Sequence, residues 1–450
     1  MSGPRLFGTD GVRGVANADL TPEIAMRLAR AGAYVVGRGM DPNYAFVIGR
    51  DTRLSGTMLE AAVVAGILSM GRDTLALGVV PTPGVARIVP SLPAAGGVMI
   101  SASHNPVEDN GIKFFGPDGY KLDDAAEHEI ERLLEDDAEI PRPTGLDVGI
   151  GKAAHGFVDR YFATLVEAGS DLSGMTVVVD AACGAAFEVG PRAFARLGAR
   201  VVTMNCEPDG SLINVGSGST DMRPLQARVR ELSAGGDKRV VGVAFDGDAD
   251  RSLFVDETGA TISGDHTMLA LAVEKKRRGT LAGDTLVGTV MSNAGLEKAL
   301  RHEGITLLRA AVGDRYVLET MRAGNFTFGG EQSGHVIDLE RNTTGDGPMT
   351  AVALLSLVAR ERTTLHELTW AMHVFPQILV NVRAPRQAAE QDEVRAAIAR
   401  VERELGEDGR ILVRPSGTEP LVRVMIEGDD RGRIERLAHE VAETVKRAAQ

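Results

Sequence analysis

An α/β fold of three related domains with mixed sheets, followed by a small α+β domain, is what this 450-residue sequence predicts. Three observations carry that expectation. Strand-like and helix-like segments alternate along most of the chain. An apolar strand, a helix and two further strands leading into a polar loop recur three times. The length fits three or four domains at about 150 residues each.

The first helix opens at Thr21-Pro22, a capping hydroxyl followed by proline in the first helical position, and Ile24, Leu28, Ala31 and Val35 then share one face. A second helix opens at Ser55, with Leu59, Ala62, Val63, Gly66, Ile67 and Met70 inside. The repeating unit begins with the strands Phe46 to Arg50, Val177 to Asp180 and Leu286 to Val290. Its second strands are Thr74 to Val80, Arg200 to Met204 and Ile305 to Leu308. A short apolar strand then enters each polar loop: Ser101 to Pro106, Asp246 to Arg251 and Glu331 to His335. Open α/β sheets carry their chemistry at the carboxyl ends of strands, so these loops are the candidate site. The remainder reads as strands Ile378 to Val382, Ile411 to Val413 and Leu421 to Ile426, with helices marked by Val394 to Leu405 and Ile434 to Val445. The Pro- and Gly-containing stretch from Pro141 to Lys152 marks the first boundary. Expected domains are therefore 1–153, 154–256, 257–373 and 374–450.

Charge excludes some partners. Against 49 Lys and Arg stand 62 Asp and Glu, a net charge of −13. Such a surface repels nucleic acid and anionic lipid, and phosphate binding requires cations gathered locally. Two cysteines, Cys183 and Cys206, are too few for a disulfide framework and suit a reducing compartment. The N-terminus reaches a charged, Gly-rich segment at once, without a signal-like apolar region, and no apolar run is long enough to span a membrane. A cytoplasmic location is expected.

The loops differ in chemistry. Asp246, Asp248 and Asp250 stand at i, i+2 and i+4 between apolar runs, so three carboxylates converge on one hard cation, for which Mg²⁺ is suited. A solvated acidic turn is the alternative, and the apolar flanks weaken it. Ser101-Ala102-Ser103-His104-Asn105-Pro106 presents a hydroxyl at a forced turn, or is an ordinary Ser-rich turn. No Gly-x-Ser-x-Gly elbow supports a hydrolase triad. Arg414-Pro415-Ser416-Gly417-Thr418-Glu419-Pro420 with Arg423 reads as an anion pocket, against a hairpin carrying a chance arginine. Glu331, Ser333 and His335 sit between glycines and suit sugar hydroxyls and proton transfer, although a lone histidine is more often structural.

Taken together and in this order, the four loops resemble the α-D-phosphohexomutase superfamily along the whole chain. Phe7 to Gly14, Asn110 to Gly119 and Gly330 to His335 are similar to the corresponding segments of its phosphoglucosamine mutases. Ala249 departs from the pattern, since many members have glycine there. The resemblance implies a phosphoserine enzyme that interconverts glucosamine 6-phosphate and glucosamine 1-phosphate through a 1,6-bisphosphate, feeding UDP-N-acetylglucosamine and cell-wall precursor synthesis. It implies that Ser103 carries the phosphoryl group and, with Asp246, Asp248 and Asp250, ligates one Mg²⁺ per site. Arg251 would support the transferring group, while Arg13, His104, Lys113 and His335 line the cleft. Lys113 and His335 are the candidates for general base and acid. Glu331 and Ser333 would hold sugar hydroxyls, Arg414, Ser416, Gly417, Thr418 and Arg423 the distal phosphate, and Arg315 would contact substrate. A sugar 1,6-bisphosphate would act as primer, the fourth domain as a lid, and a homodimer is allowed. Rival readings are a phosphomannomutase/phosphoglucomutase, a phosphatase with an aspartate nucleophile, and a phosphosugar-binding regulatory protein without turnover.

Overall fold

The computed structural model describes residues 6–8, 10–406, 409–415 and 421–449. In the first domain the strand Ala45–Arg50 lies between Thr74–Val79 and Ala94–Ile100, parallel to both. The second domain repeats this with Thr176–Asp180 between Arg200–Met204 and Val240–Phe245. The third places Thr285–Thr289 between Thr306–Ala310 and Phe328–Gly330. In every case the last of these strands also meets an antiparallel one, namely Asp109–Phe115, Ser252–Val255 or Val336–Asp338. The three polar loops are the turns into those antiparallel strands, so they occupy one equivalent position in three related domains.

The pattern has a plain cause. Central strands covered by helices on both faces need unbroken apolar runs, and Phe46 to Ile48, Val177 to Val179 and Leu286 with Val287 are all buried. The first sheet is widened by Val12–Val15 at one edge and Gly151–Ala153 at the other. The second is completed by Thr261–Ile262, so it continues beyond residue 256, where a domain edge is expected from the sequence.

The helix starts read at Thr21-Pro22 and Ser55 are both found. Thr21 caps Pro22–Val36 by accepting the Ile24 N–H at 3.4 Å. Ser55 precedes Gly56–Leu68 as expected, yet its hydroxyl accepts from Asn110 Nδ2 at 2.9 Å instead of capping.

The fourth domain is separate in construction. Leu421–Gly428 runs antiparallel between Gln377–Arg383 and Gly409–Pro415, and the helices Asp392–Leu405 and Arg431–Ala448 complete the domain. It has its own core of Val394, Val401, Val424, Ile434 and Val441. Polar clasps tie it to the third domain. Arg410 donates to the Val290 and Ser292 carbonyls at 2.8 Å, and the Asn293 side chain exchanges two 3.0 Å hydrogen bonds with the Phe375 backbone. No described helix is long and apolar enough to cross a membrane.

Candidate active site

The Ser103 loop is held from below. Ser103 sits at φ 53, the left-handed region, which turns the chain sharply after Ala94–Ile100. Its N–H donates to Ser101 Oγ at 2.9 Å, and Ser101 donates to Asp51 Oδ2 at 2.6 Å. Arg53, whose side chain is fully buried, pairs with Asp51 at 3.0 Å. Its guanidinium also donates to the carbonyls of Ser103 at 2.9 Å, Asn105 at 2.8 Å and Asp109 at 2.9 Å, and to that of Pro106. Asn214 reaches across from the second domain to the Ser103 carbonyl at 2.9 Å. With its backbone so fixed, Ser103 Oγ donates to Asp246 Oδ2 at 2.7 Å and lies 3.2 Å from His104 Nδ1.

Asp246, Asp248 and Asp250 are buried, and each offers an oxygen within 4.8 Å of the other two. The turn that brings them together passes through Ala249 at φ 56. Glycine adopts that conformation freely, whereas alanine pays about 1 kcal/mol. Burial and the neighbouring Asp250 and Asp248 carboxylates push Asp246 well above the usual carboxylate range. Burial also opposes ionisation of Asp250, but His335, Lys113 and Arg251 hold it below its ordinary value. Asp248 Oδ1 and Asp250 Oδ1 are buried without a hydrogen-bond partner. Converging carboxylates with orphaned oxygens fit a hard divalent cation.

Beside the triplet opens a cleft of about 400 Å³, to which Arg13, His104, Arg251, Glu331 and His335 all contribute. Five residues singled out from distant parts of the sequence thus share one wall system. Arg13 donates to Asn105 Oδ1 at 3.1 Å and pairs with Asp10. Glu331 accepts the Gly313 N–H at 3.0 Å. Ser333 Oγ is buried with no hydrogen-bond partner, a hydroxyl still to be satisfied. Lys113, on Asp109–Phe115, lies 2.9 Å from Asp248 and 2.8 Å from Asp10. Burial would lower its pKa, but Asp10, Asp248 and Asp250 raise it to about 12. Burial, with Arg251 and Arg13, drops His104 to about 4, so its imidazole is neutral near pH 7. Two influences oppose each other at His335. Asp250 and Asp314 raise its pKa against burial, whereas the Gly345 N–H at 3.2 Å points at Nε2 and suits the neutral Nδ1–H ring.

In the fourth domain Arg414 and Arg423 are direct cross-strand partners. Burial and the facing Arg423 lower the Arg414 pKa. Like charges opposed on a ladder are unfavourable. Neither arginine lines the cleft among the described residues. Ser416, Gly417 and Thr418 lie outside the described residues.

Arg315 is engaged elsewhere in this structure. Its guanidinium is divided among Asp124 at 2.9 Å and Glu127 and Glu319 at 3.0 Å, so it is an ion-pair bridge between the first and third domains, away from the cleft lining. Four supporting residues escaped the sequence reading: Asp10, Arg53, Lys121 and Asn214. Asp10 and Arg53 had a signal available, three residues before Arg13 and just after the first parallel strand. Lys121 and Asn214 had none.

Family models match four successive segments of the chain. Residues 4–140, 159–259 and 263–375 match the Phosphoglucomutase/phosphomannomutase alpha/beta/alpha domains I, II and III, and residues 379–444 match the C-terminal domain of that family. A phosphoglucosamine mutase from Symbiobacterium thermophilum is 52% identical over 451 residues, covering 99% of this chain and 100% of that protein. One from Pelotomaculum thermopropionicum is 52% identical over 448 residues, with 98% and 99% covered. Among solved structures, a Phosphoglucomutase/phosphomannomutase family protein from Burkholderia thailandensis superposes with a TM-score of 0.84 at 25% identity, covering 100% of this chain and 98% of that one. With relatives this similar along their full length and all four domains matched, the chain belongs to the phosphoglucosamine mutase family.

Proposed function

We propose that the chain interconverts glucosamine 6-phosphate and glucosamine 1-phosphate through a phosphoserine at Ser103. The observation that carries this reading is the Ser103 hydroxyl, 2.7 Å from Asp246 and backed by a rigid loop beside a cation-fitting triplet. The phosphoryl group on Ser103 Oγ passes to a sugar hydroxyl: the Oγ–P bond breaks, a sugar O–P bond forms, and the hydroxyl proton goes to His335 in its neutral form, with Lys113 beside it as an ammonium. The 1,6-bisphosphate then turns around. Its other phosphoryl group returns to Ser103, and the proton goes back to the departing sugar oxygen. Asp246, Asp248, Asp250 and the Ser103 phosphate would hold Mg²⁺, which when bound supplies charge neutralisation for the transfer. Arg251 and Arg13 add positive charge to the cleft, His104 is the neutral neighbour of Oγ, and Glu331 and Ser333 take sugar hydroxyls.

One distal pocket must grip whichever phosphate is not reacting. Arg414 and Arg423, with Ser416, Gly417 and Thr418, are proposed for that task, on a domain that closes as a lid. Arg423→Ala is expected to raise KM by about 10- to 100-fold, since a hydrogen bond to a charged group contributes about 1.5–3 kcal/mol. Because the grip is alike in ground and transition states, kcat should fall less. Steady-state kinetics check this, and a pure kcat defect contradicts it.

A sugar 1,6-bisphosphate serves as primer, and the four domains are proposed to act in one chain, within a monomer or homodimer of the cytoplasm. Glucosamine phosphate should be favoured by kcat/KM over glucose and mannose phosphates, with some activity left on glucose phosphate, because shared contacts cannot discriminate. Competition of the three sugars under equal priming gives the ratio. Preference for mannose or glucose phosphate would move the chain to the phosphomannomutase/phosphoglucomutase reading and leave the phosphoserine mechanism standing.

A further inference from the structure

Lys121 has no part in the reaction as written above, yet it sits where the two proton-transfer candidates are joined. It follows the turn after Asp109–Phe115, the strand that carries Lys113, and its backbone bridges to Phe115. Its ammonium lies 2.5 Å from Asp10 Oδ1 and 2.5 Å from Asp314 Oδ2. The other oxygen of Asp10 is 2.8 Å from Lys113, and Asp314 Oδ2 is 3.7 Å from His335 Nε2. Asp250 closes the circuit, 3.6 Å from His335 Nδ1 and 3.9 Å from Lys113. Acidic and basic side chains therefore alternate around a ring of six, in which Lys121 is the link between a carboxylate of the first domain and one of the third.

Asp10, Asp314, Asp250 and His335 face the cleft, whereas Lys121 lies behind it. It lines a separate cavity of about 90 Å³. Its side chain is only 16% exposed. Without its charge, Asp10 and Asp314 are two carboxylates repelling one another across the seam in a poorly screened setting. Each would turn away, and the groups they orient would follow. The seam itself has other ties: Arg315 to Glu127 at 3.0 Å and to Asp124 at 2.9 Å, and Thr343 donating to the Gly119 carbonyl at 2.5 Å. Loss of Lys121 thus acts on geometry inside the ring more than on attachment of the domains.

We propose that Lys121 is a positioning residue for phosphoryl transfer, clamping Asp10 to Asp314 so that Lys113 and His335 keep a fixed separation across one cleft. The proposal rests on the mutase reading. A turning bisphosphate presents two different hydroxyls to the same groups, so the spacing of those groups must hold through both transfers.

Lys121→Met and Lys121→Arg in the full chain, with Mg²⁺ and bisphosphate primer, test it. Methionine keeps length and removes charge, and should lower kcat by about 10- to 50-fold while KM stays within about threefold. Arginine can span both carboxylates with its planar fork and has the adjoining cavity for its extra bulk, so kcat should return to within about fivefold of the parent. The thermal midpoints of both variants should stay within about 4 °C of the parent. A methionine variant with kcat within threefold of the parent overturns the proposal. So does an arginine variant as slow as the methionine one, or a methionine variant that fails to fold, since Lys121 would then be a staple only. The parent is the control: a parent without turnover fails the mutase reading, while an active parent with an equally active methionine variant fails only the role of Lys121.

Discussion

Ser103→Ala is expected to abolish mutase turnover, by at least about a thousandfold, while the protein stays folded. The hydroxyl is the only group proposed to carry the phosphoryl between the two half-reactions, so no neighbour takes over its task. The structural cost is small by comparison. Alanine tolerates the φ of 53 about as poorly as serine does, so no new backbone strain is added. What disappears are the hydrogen bond from Oγ to Asp246 and the 3.2 Å contact with His104 Nδ1, a net loss of about 1–2 kcal/mol. The loop remains held by Arg53, Asn214 and Ser101 through backbone groups that the substitution leaves in place. Turnover with a bisphosphate primer, measured beside the thermal midpoint, separates the two effects. Near-parental turnover would sink the phosphoserine mechanism.

Asp248→Asn should reduce kcat by about 100- to 1000-fold and weaken Mg²⁺ binding by about 10- to 100-fold. Asp248 Oδ2 accepts from Lys113 at 2.9 Å and from Thr82 Oγ1 at 2.6 Å, which leaves Oδ1 toward the metal position. An amide cannot serve both sides. If its oxygen meets Lys113 and Thr82, its NH₂ points at the cation, and if it is flipped, NH₂ faces an ammonium. Either arrangement removes a charge that offsets dehydration of a hard cation. Titration calorimetry with Mg²⁺ and steady-state kinetics report the two losses. Unchanged affinity together with unchanged turnover would reduce the triplet to a structural turn.

Much of this was legible in one dimension because the determinants are local. Apolar runs that must be buried on both faces mark Phe46 to Ile48 and Val177 to Val179, and the turn after each third strand is signalled by Ser103-His104-Asn105-Pro106 or by the spaced aspartates. The threefold topology follows from that repetition. What stayed hidden depends on chain segments far apart in sequence. Lys121 gains meaning only when Asp314 packs against it, and Asn214 only when the second domain meets the Ser103 loop. Ser55 opens the second helix as read from the sequence, but nothing in the sequence signals that Asn110 claims its hydroxyl. Arg315 sits in a polar segment that resembles a substrate contact, and only the arrival of Asp124 and Glu127 from another domain shows its pairing.

The central claim is that one serine holds the phosphoryl group in transit. Intact-mass measurement of the parent chain and of Ser103→Ala, each treated with phosphatase and then incubated with Mg²⁺ and glucosamine 1,6-bisphosphate, tests it directly. The parent should gain the mass of a single phosphate, located by peptide mapping at Ser103, and the variant should gain none. Equal phosphate uptake by both proteins, or a phosphate mapped to another residue of the parent, would contradict the account.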